Sequence, residues 1–349
     1  MNTPQLSDRE QLILQAVVHL YITSAEPVGS RAIVKKLGLD ISPATVRNVM
    51  ADLEESGFLQ QLHTSSGRVP TDKGYRYYVD FLMRIQDVTH SERSRVESRL
   101  AEHLGDADTI LRQTSCLLAL ISHQASIVEA PRLNVAEVRH VEIVPIAERR
   151  LAFVLADNYG GVRTMVTTTE RPFSSDEAQR LGHFLAEQLR GTPIDNLSPA
   201  LQEKLERFVN DTRTLANQAL EILRLLPSPE GGNLFLEGTT QLFEQPEFQS
   251  VGRAREVFGL LEERDRVVEL LRAGVVNPEP HPSRVVIGSE ANQQGFEELS
   301  VVSAPYKVGD TTVGMVGVLG PRRMPYSKLA GLVEYTADRL GSLLSRLAR

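Results

Sequence analysis

The chain has 349 residues, of which 41% are hydrophobic and 24% charged. It is long enough for two or three packed domains and too apolar for a disordered protein. The net charge of −7 argues at first against nucleic acid, but residues 1–85 carry nine Lys/Arg and nine Asp/Glu, so the whole deficit lies downstream. Within residues 28–50 four basic groups (Arg31, Lys35, Lys36, Arg47) face one acid, Asp40. A locally positive face on a neutral domain suffices for phosphate contacts. No run of eighteen apolar residues suggests a membrane span, and the polar amino terminus lacks the apolar core of a secretory signal. The single cysteine, Cys116, precludes internal disulfides and suits a reducing compartment. The expected location is the bacterial cytoplasm.

Ser7-Asp8-Arg9-Glu10 is a capping box, and behind it Ile13, Ala16, Val17, Leu20 and Tyr21 recur at helical spacing. Gly29-Ser30 starts a short second helix with Ile33, Val34 and Leu37, stopped by Gly38. Ser42-Pro43 opens a third, an N-cap followed by proline at the first helical position. Val46, Val49, Met50 and Leu53 form its apolar stripe, and Ser56-Gly57 ends it. Ala44, Thr45, Arg47 and Asn48 lie off the stripe, at the end that recognition helices point at base edges. Arg bonds guanine bidentately and Asn adenine, for roughly 1–3 kcal/mol of discrimination each. Phe58–Leu62 reads as a strand, Thr64–Gly67 as a turn and Arg68-Val69 as the return strand, closed by Pro70. A small polar hairpin tip ending in arginine suits the sugar-phosphate backbone or a minor groove. Thr71 then caps a helix whose Tyr75, Tyr78, Leu82 and Ile85 share a face, with Tyr77 the best candidate of its aromatics for a phosphate contact. This order of elements is a winged helix-turn-helix. The candidate DNA-contacting set is Ser30, Arg31, Ser42, Ala44, Thr45, Arg47, Asn48, His63, Thr64, Ser65, Ser66, Gly67, Arg68, Lys73 and Arg76. A winged helix used only for protein contacts is the competing reading.

Residues 86–95 read as a linker or helix extension. Leu100, Leu104, Ala107, Leu111, Thr114, Leu118 and Ile121 form a heptad-like seam, which fits an amphipathic helix on its own sheet better than a coiled coil. Strands follow at Val138–Ile146, Leu151–Ala156 and Val162–Thr168, with a turn at Asn158–Gly161. A helix capped at Ser174 or Ser175 runs to Gly191, and a long helical stretch from Ser198 reaches Leu226. Asn233–Leu236 is a short strand and Arg253–Arg272 another helix, before the proline-rich boundary Asn277–Ser283. Strands at Arg284–Ile287, Leu299–Ala304 and Val313–Leu319 precede a terminal helix from Ser327. Two groups of strands flanking a helical middle suggest one sheet domain interrupted by an insertion.

The segments VGSR, SPATVRN, MADLE, HTSSGRVPTDKGYR and YVD resemble the DNA-binding domain of the heat-inducible transcription repressor family (HrcA). LEGTTQLFEQPEF and GVLGPRRM extend the resemblance over nearly the whole chain. Leu62 stands where that pattern has proline, and Val49 where it has glutamate. The resemblance implies an α+β multidomain protein: winged helix at 1–85, linker at 86–105, a GAF-like antiparallel sheet domain at 106–190 and 278–349, and an inserted dimerisation domain at 191–277. It implies a homodimeric repressor of chaperone genes that binds the CIRCE inverted repeat on double-stranded DNA. The GroE chaperonin is its implied partner, and no cofactor is expected. A metabolite-sensing regulator is the alternative, since GAF-like domains often bind ligands.

Catalytic signals are weak. The eight histidines show no metal spacing, and Cys116 sits in a Leu/Ile-rich helix. Gly288-Ser289-Glu290 lacks the second glycine of a nucleophile elbow. Gly314, Gly317 and Gly320 imitate a dinucleotide fingerprint but lie within a strand with no helix to follow, so close strand packing explains them better. No enzyme is expected.

Overall fold

The computed structural model describes residues 6–38, 41–62, 67–101, 106–205, 208, 210–226, 234–276 and 281–347. Helix α1 (Asp8–Ser24) begins at the Ser7/Glu10 capping box and stops at Ala25, whose φ of 58° is left-handed. Helices α2 (Ser30–Leu37) and α3 (Pro43–Glu55) pack against it, burying Ile13, Leu14, Val17, Ile33, Val46, Met50 and Leu53 in one cluster. Strands β1 (Leu59–Gln61) and β2 (Arg68–Pro70) form an antiparallel hairpin. Helix α4 (Asp72–Tyr77) is capped by the Thr71 hydroxyl, which accepts from the Gly74 N–H, and runs on into a π-helical turn, Tyr78–Leu82. These elements are a winged helix-turn-helix.

After a coil, α5 (His90–Ala101) and α6 (Ala107–Ser122) lead into β3 (Ala125–Glu129). Next come β4 (Val138–Ala147), β5 (Arg150–Asp157), β6 (Val162–Thr168), α7 (Ser175–Leu189), α8 (Leu197–Leu205) and α9 (Asn210–Leu225). The chain continues through β7 (Leu234–Glu237), α10 (Thr239–Phe243), α11 (Val251–Glu262), α12 (Arg264–Arg272) and β8 (Val275–Val276). It closes with β9 (Arg284–Ile287), β10 (Leu299–Val308), β11 (Thr311–Pro321) and α13 (Tyr326–Leu347).

Six strands form one antiparallel sheet in the order β7-β3-β11-β10-β9-β8. Alternate residues face opposite layers. Val302, Ala304, Val316 and Val318 pack towards α6 and α13, whereas Val301, Met315 and Leu319 pack towards α11 and α12. Helix α6 therefore lies on the sheet, as its apolar periodicity suggests; Leu104 of that seam is outside the described residues. The glycines of β11 admit close neighbours: a Cβ on Gly314 would meet the Tyr306 ring and one on Gly317 the Leu271 side chain.

The topology corrects the expectation of a single interrupted sheet. Strands β4-β5-β6 make a separate three-stranded sheet, with α7 packed against β4. A Cβ on Gly182 would stand 3.2 Å from the Ile143 backbone nitrogen, which shows how closely helix and sheet approach. The excursion out of the six-stranded sheet therefore runs between β3 and β7, beginning upstream of the 191–277 segment expected to be inserted and ending within it. Strand β3 escaped the sequence reading because all five of its residues are buried, so it has no polar alternation to betray it. The expected long helices are each two: Glu263, at ψ 74°, divides α11 from α12, and α8 is separate from α9.

Candidate nucleic-acid interface

Helix α3 presents its amino-terminal end to solvent. The Ser42 side chain accepts from the Thr45 N–H at 3.1 Å, and the two hydroxyls lie 3.0 Å apart. Val46, Val49, Met50 and Leu53 are buried on the inner side, so Val49 completes the apolar stripe. Ser42, Ala44, Arg47 and Asn48 are exposed and Thr45 half-buried. With its free N–H groups and dipole, this end of the helix favours phosphate oxygens. Arg31, Lys35 and Lys36 are exposed on neighbouring α2.

The base of the wing is held by the loop before α2. Val28 and Arg68 exchange two backbone hydrogen bonds of 2.9 Å, and a Cβ on Gly67 would overlap the Val28 carbonyl. Gly67 is thus needed for close approach. His63, Thr64, Ser65 and Ser66, named above as the wing tip, lie outside the described residues.

The remaining cations of the candidate set have partners within the chain. The Arg68 guanidinium donates to Glu54 at 2.7 Å and is only 16% exposed. The Lys73 ammonium donates to the Ser56 carbonyl at 2.7 Å and lies over the Phe58 ring. Arg76 donates to both Glu290 oxygens, to Asp80 at 3.1 Å and to the Val285 carbonyl at 2.7 Å. Burial pushes the Asp80 carboxyl up, although the Arg76 charge pulls it the other way. Ser30 is buried. Of the aromatics, Tyr77 is buried at 6%, against the phosphate contact expected of it, and Phe81 is 58% exposed.

Sequence reasoning missed the partners: Glu54 at the end of α3, Glu290 after β9, and Arg322 and Arg323 after β11. Burial works against the charge on Asp72, yet hydrogen bonds from Ser289 and Arg322 outweigh it and hold its carboxyl below the ordinary range. Arg323 bonds Glu247 and Gln245. GVLGPRRM and LEGTTQLFEQPEF, remote in sequence, thus meet beneath the winged helix; the paired arginines of the first were the available signal. Among the described residues no cluster of His, Cys, Asp and Glu is arranged to hold a metal, and no helix is long and apolar enough to cross a membrane.

An exposed helix end backed by a capped, packed tri-helical core and a wing defines a winged-helix DNA-binding regulator. Comparison with known proteins agrees. Residues 5–80 match the profile described as winged helix-turn-helix transcription repressor, HrcA DNA-binding, and residues 108–330 match the HrcA protein C terminal domain. The chain is 40% identical over 341 residues to the heat-inducible transcription repressor HrcA of Geobacter sulfurreducens, covering 97% of this chain and 98% of that protein. It is 35% identical to the protein of the same description from Syntrophobacter fumaroxidans, with 97% of each chain covered. A crystal structure described as a hypothetical protein shares the fold, with a TM-score of 0.62 at 23% identity over 98% of this chain and all of that one. The chain belongs to the HrcA family of heat-inducible transcription repressors.

Proposed function

We propose that this chain is a homodimeric negative regulator of class I heat-shock (chaperone) genes, binding an inverted-repeat operator of the CIRCE type. Ala44, Thr45, Arg47 and Asn48 read base edges, while Arg31 and Ser42 meet phosphates at the mouth of the groove. The observation that carries this reading is the exposed, capped amino terminus of α3, whose opposite side is buried. The cationic residues Arg68, Lys73 and Arg76 shape the domain rather than reach the DNA. Beneath it the six-stranded sheet is the GAF-like unit, and the three-stranded sheet with its helices is the inserted dimerisation unit. The outer face of the smaller sheet supports that assignment, because Val144, Ile146, Val162 and Val166 lie on it between 38% and 59% exposed. A two-fold protein matches a two-fold operator. Dependence on the GroE chaperonin rests on the family resemblance: repression relaxes when heat diverts the chaperonin and the folded fraction of repressor falls.

The test is a footprint of the purified chain on the promoters of its own genome, repeated with and without GroE. Protection of an inverted repeat upstream of chaperone genes, strengthened by chaperonin, is the expected result. Absence of any protected sequence overturns the reading.

A further inference from the structure

The winged helix sits on the body through a polar seam. Asp72 accepts from the Ser289 N–H at 2.9 Å, the Ser289 hydroxyl at 2.7 Å and Arg322 at 3.0 Å. Arg322 turns its other nitrogen to Glu298 at 3.0 Å. Gly288, at φ +49°, leaves room for this carboxylate, since a Cβ there would stand 2.6 Å from its Oδ2. Arg76 grips Glu290, which also accepts from the Ile287 N–H at 2.9 Å. Arg323 reaches across to the Ile22 carbonyl at the end of α1, 3.3 Å away. Around these bonds the packing is incomplete: a cavity of about 140 Å³ lies in the seam, lined by Tyr21, Tyr75, Glu247, Glu298 and Arg322. The Tyr75 hydroxyl at that cavity is buried with no hydrogen-bond partner among the described residues.

Beside the ion pairs the Tyr75 and Tyr326 rings meet edge-on, 5.9 Å between centroids, and Ile85 and Val88 of the connecting segment pack on the core. The Gln86 N–H donates to the Ser327 carbonyl at 3.0 Å, and the Ser327 hydroxyl bonds the Arg84 carbonyl, but residues 83–89 have no helix or strand of their own. A seam of half-buried ion pairs holds direction well and adhesion poorly, because hydrogen bonds to a carboxylate are directional while solvent screens the charge. Polar interdomain contacts of this kind leave domain orientation adjustable.

We infer that this seam, through Arg322, Arg323 and Glu290, sets the half-site spacing that the dimer accepts. The inference rests on the proposed function, and its logic is geometric. Each recognition helix reads its own half-site, but the distance and angle between two such helices depend on how each winged helix is seated on the dimer body. Half-sites must lie at a fixed helical phase for both helices to enter the same face of the duplex. Residues far from DNA therefore discriminate between operators that differ only in spacer length.

The experiment measures binding of the full-length protein to its footprinted operator, to versions with one or two base pairs added or removed between the half-sites, and to an isolated half-site. The wild type is expected to favour the native spacer, and Arg322→Gln combined with Glu290→Gln should shrink that preference by about tenfold or more. Isolated half-site affinity should stay the same. Glu290→Gln alone serves as the milder variant, with circular dichroism and light scattering checking fold and dimer. A wild type without spacer preference, variants that keep it, or equal loss on half-site and operator each overturn the inference. Failure of the wild type on every sequence instead overturns the functional reading, and the inference falls with it.

Discussion

Arg47 and Arg68 carry the same charge, yet the fold employs them differently. Arg47 is exposed on α3, and nothing on its own helix stripe needs it. Replacing it by Ala should cost about 1–3 kcal/mol on the operator and less on random DNA; equal losses, measured by titration on both, would make it a phosphate contact. Arg68 is tied to Glu54, which cancels its charge at the wing base. Glu54→Gln releases that cation, so the slope of log affinity against log salt should steepen by about 0.9. A slope that stays put places Arg68 out of reach of the backbone even when freed.

At the scale of elements, the wing depends on one close approach. Gly67→Ala pushes the return strand off Val28, and the two backbone bonds there stretch or break. The chain should lose about 1–3 kcal/mol in urea unfolding. Gly259→Ala is the control: this glycine of α11 has open space around it, so alanine should add about 0.5–1 kcal/mol. The joint between α4 and the body responds to acid. Asp72 has a folded value below its ordinary 3.8, so its contribution is fully present above that pH and disappears as pH falls through the depressed value. Asp72→Asn should be less stable than the wild type at neutral pH and lose less on acidification. Unfolding curves across that range with the same acid arm in both proteins would refute this.

Across the whole molecule, the three-stranded sheet is covered by α7 on one side and bears apolar side chains on the other. Val144 and Val166 flank Ala152 in register on that outer face. Changing both to Asp should convert a dimer into a monomer in light scattering, and operator binding should weaken with it. A double variant that remains dimeric moves the interface elsewhere. The sheet arrangement also explains why domain boundaries were hard to read. Strands β3 and β7 are hydrogen-bonded partners on either side of a long excursion, and neither announces its partner locally.

The parts legible in the residues alone were those built from near neighbours. A cap acts three residues ahead, as Ser42 does on Thr45, and an apolar stripe repeats within a turn; Pro43 and Gly38 punctuate the same short range. Winged-helix order and the outward residues of α3 follow from these. Tertiary structure decided what long chain separations decide. Arg76 and Glu290 are 214 residues apart, and a sequence assigns no partner to a charge across that distance. Two strand groups of similar composition joined different sheets for the same reason: strand pairing is settled by which faces the helices cover. Exposure of Arg47 was therefore readable in the chain, whereas the capture of Arg68, Lys73 and Arg76 was not.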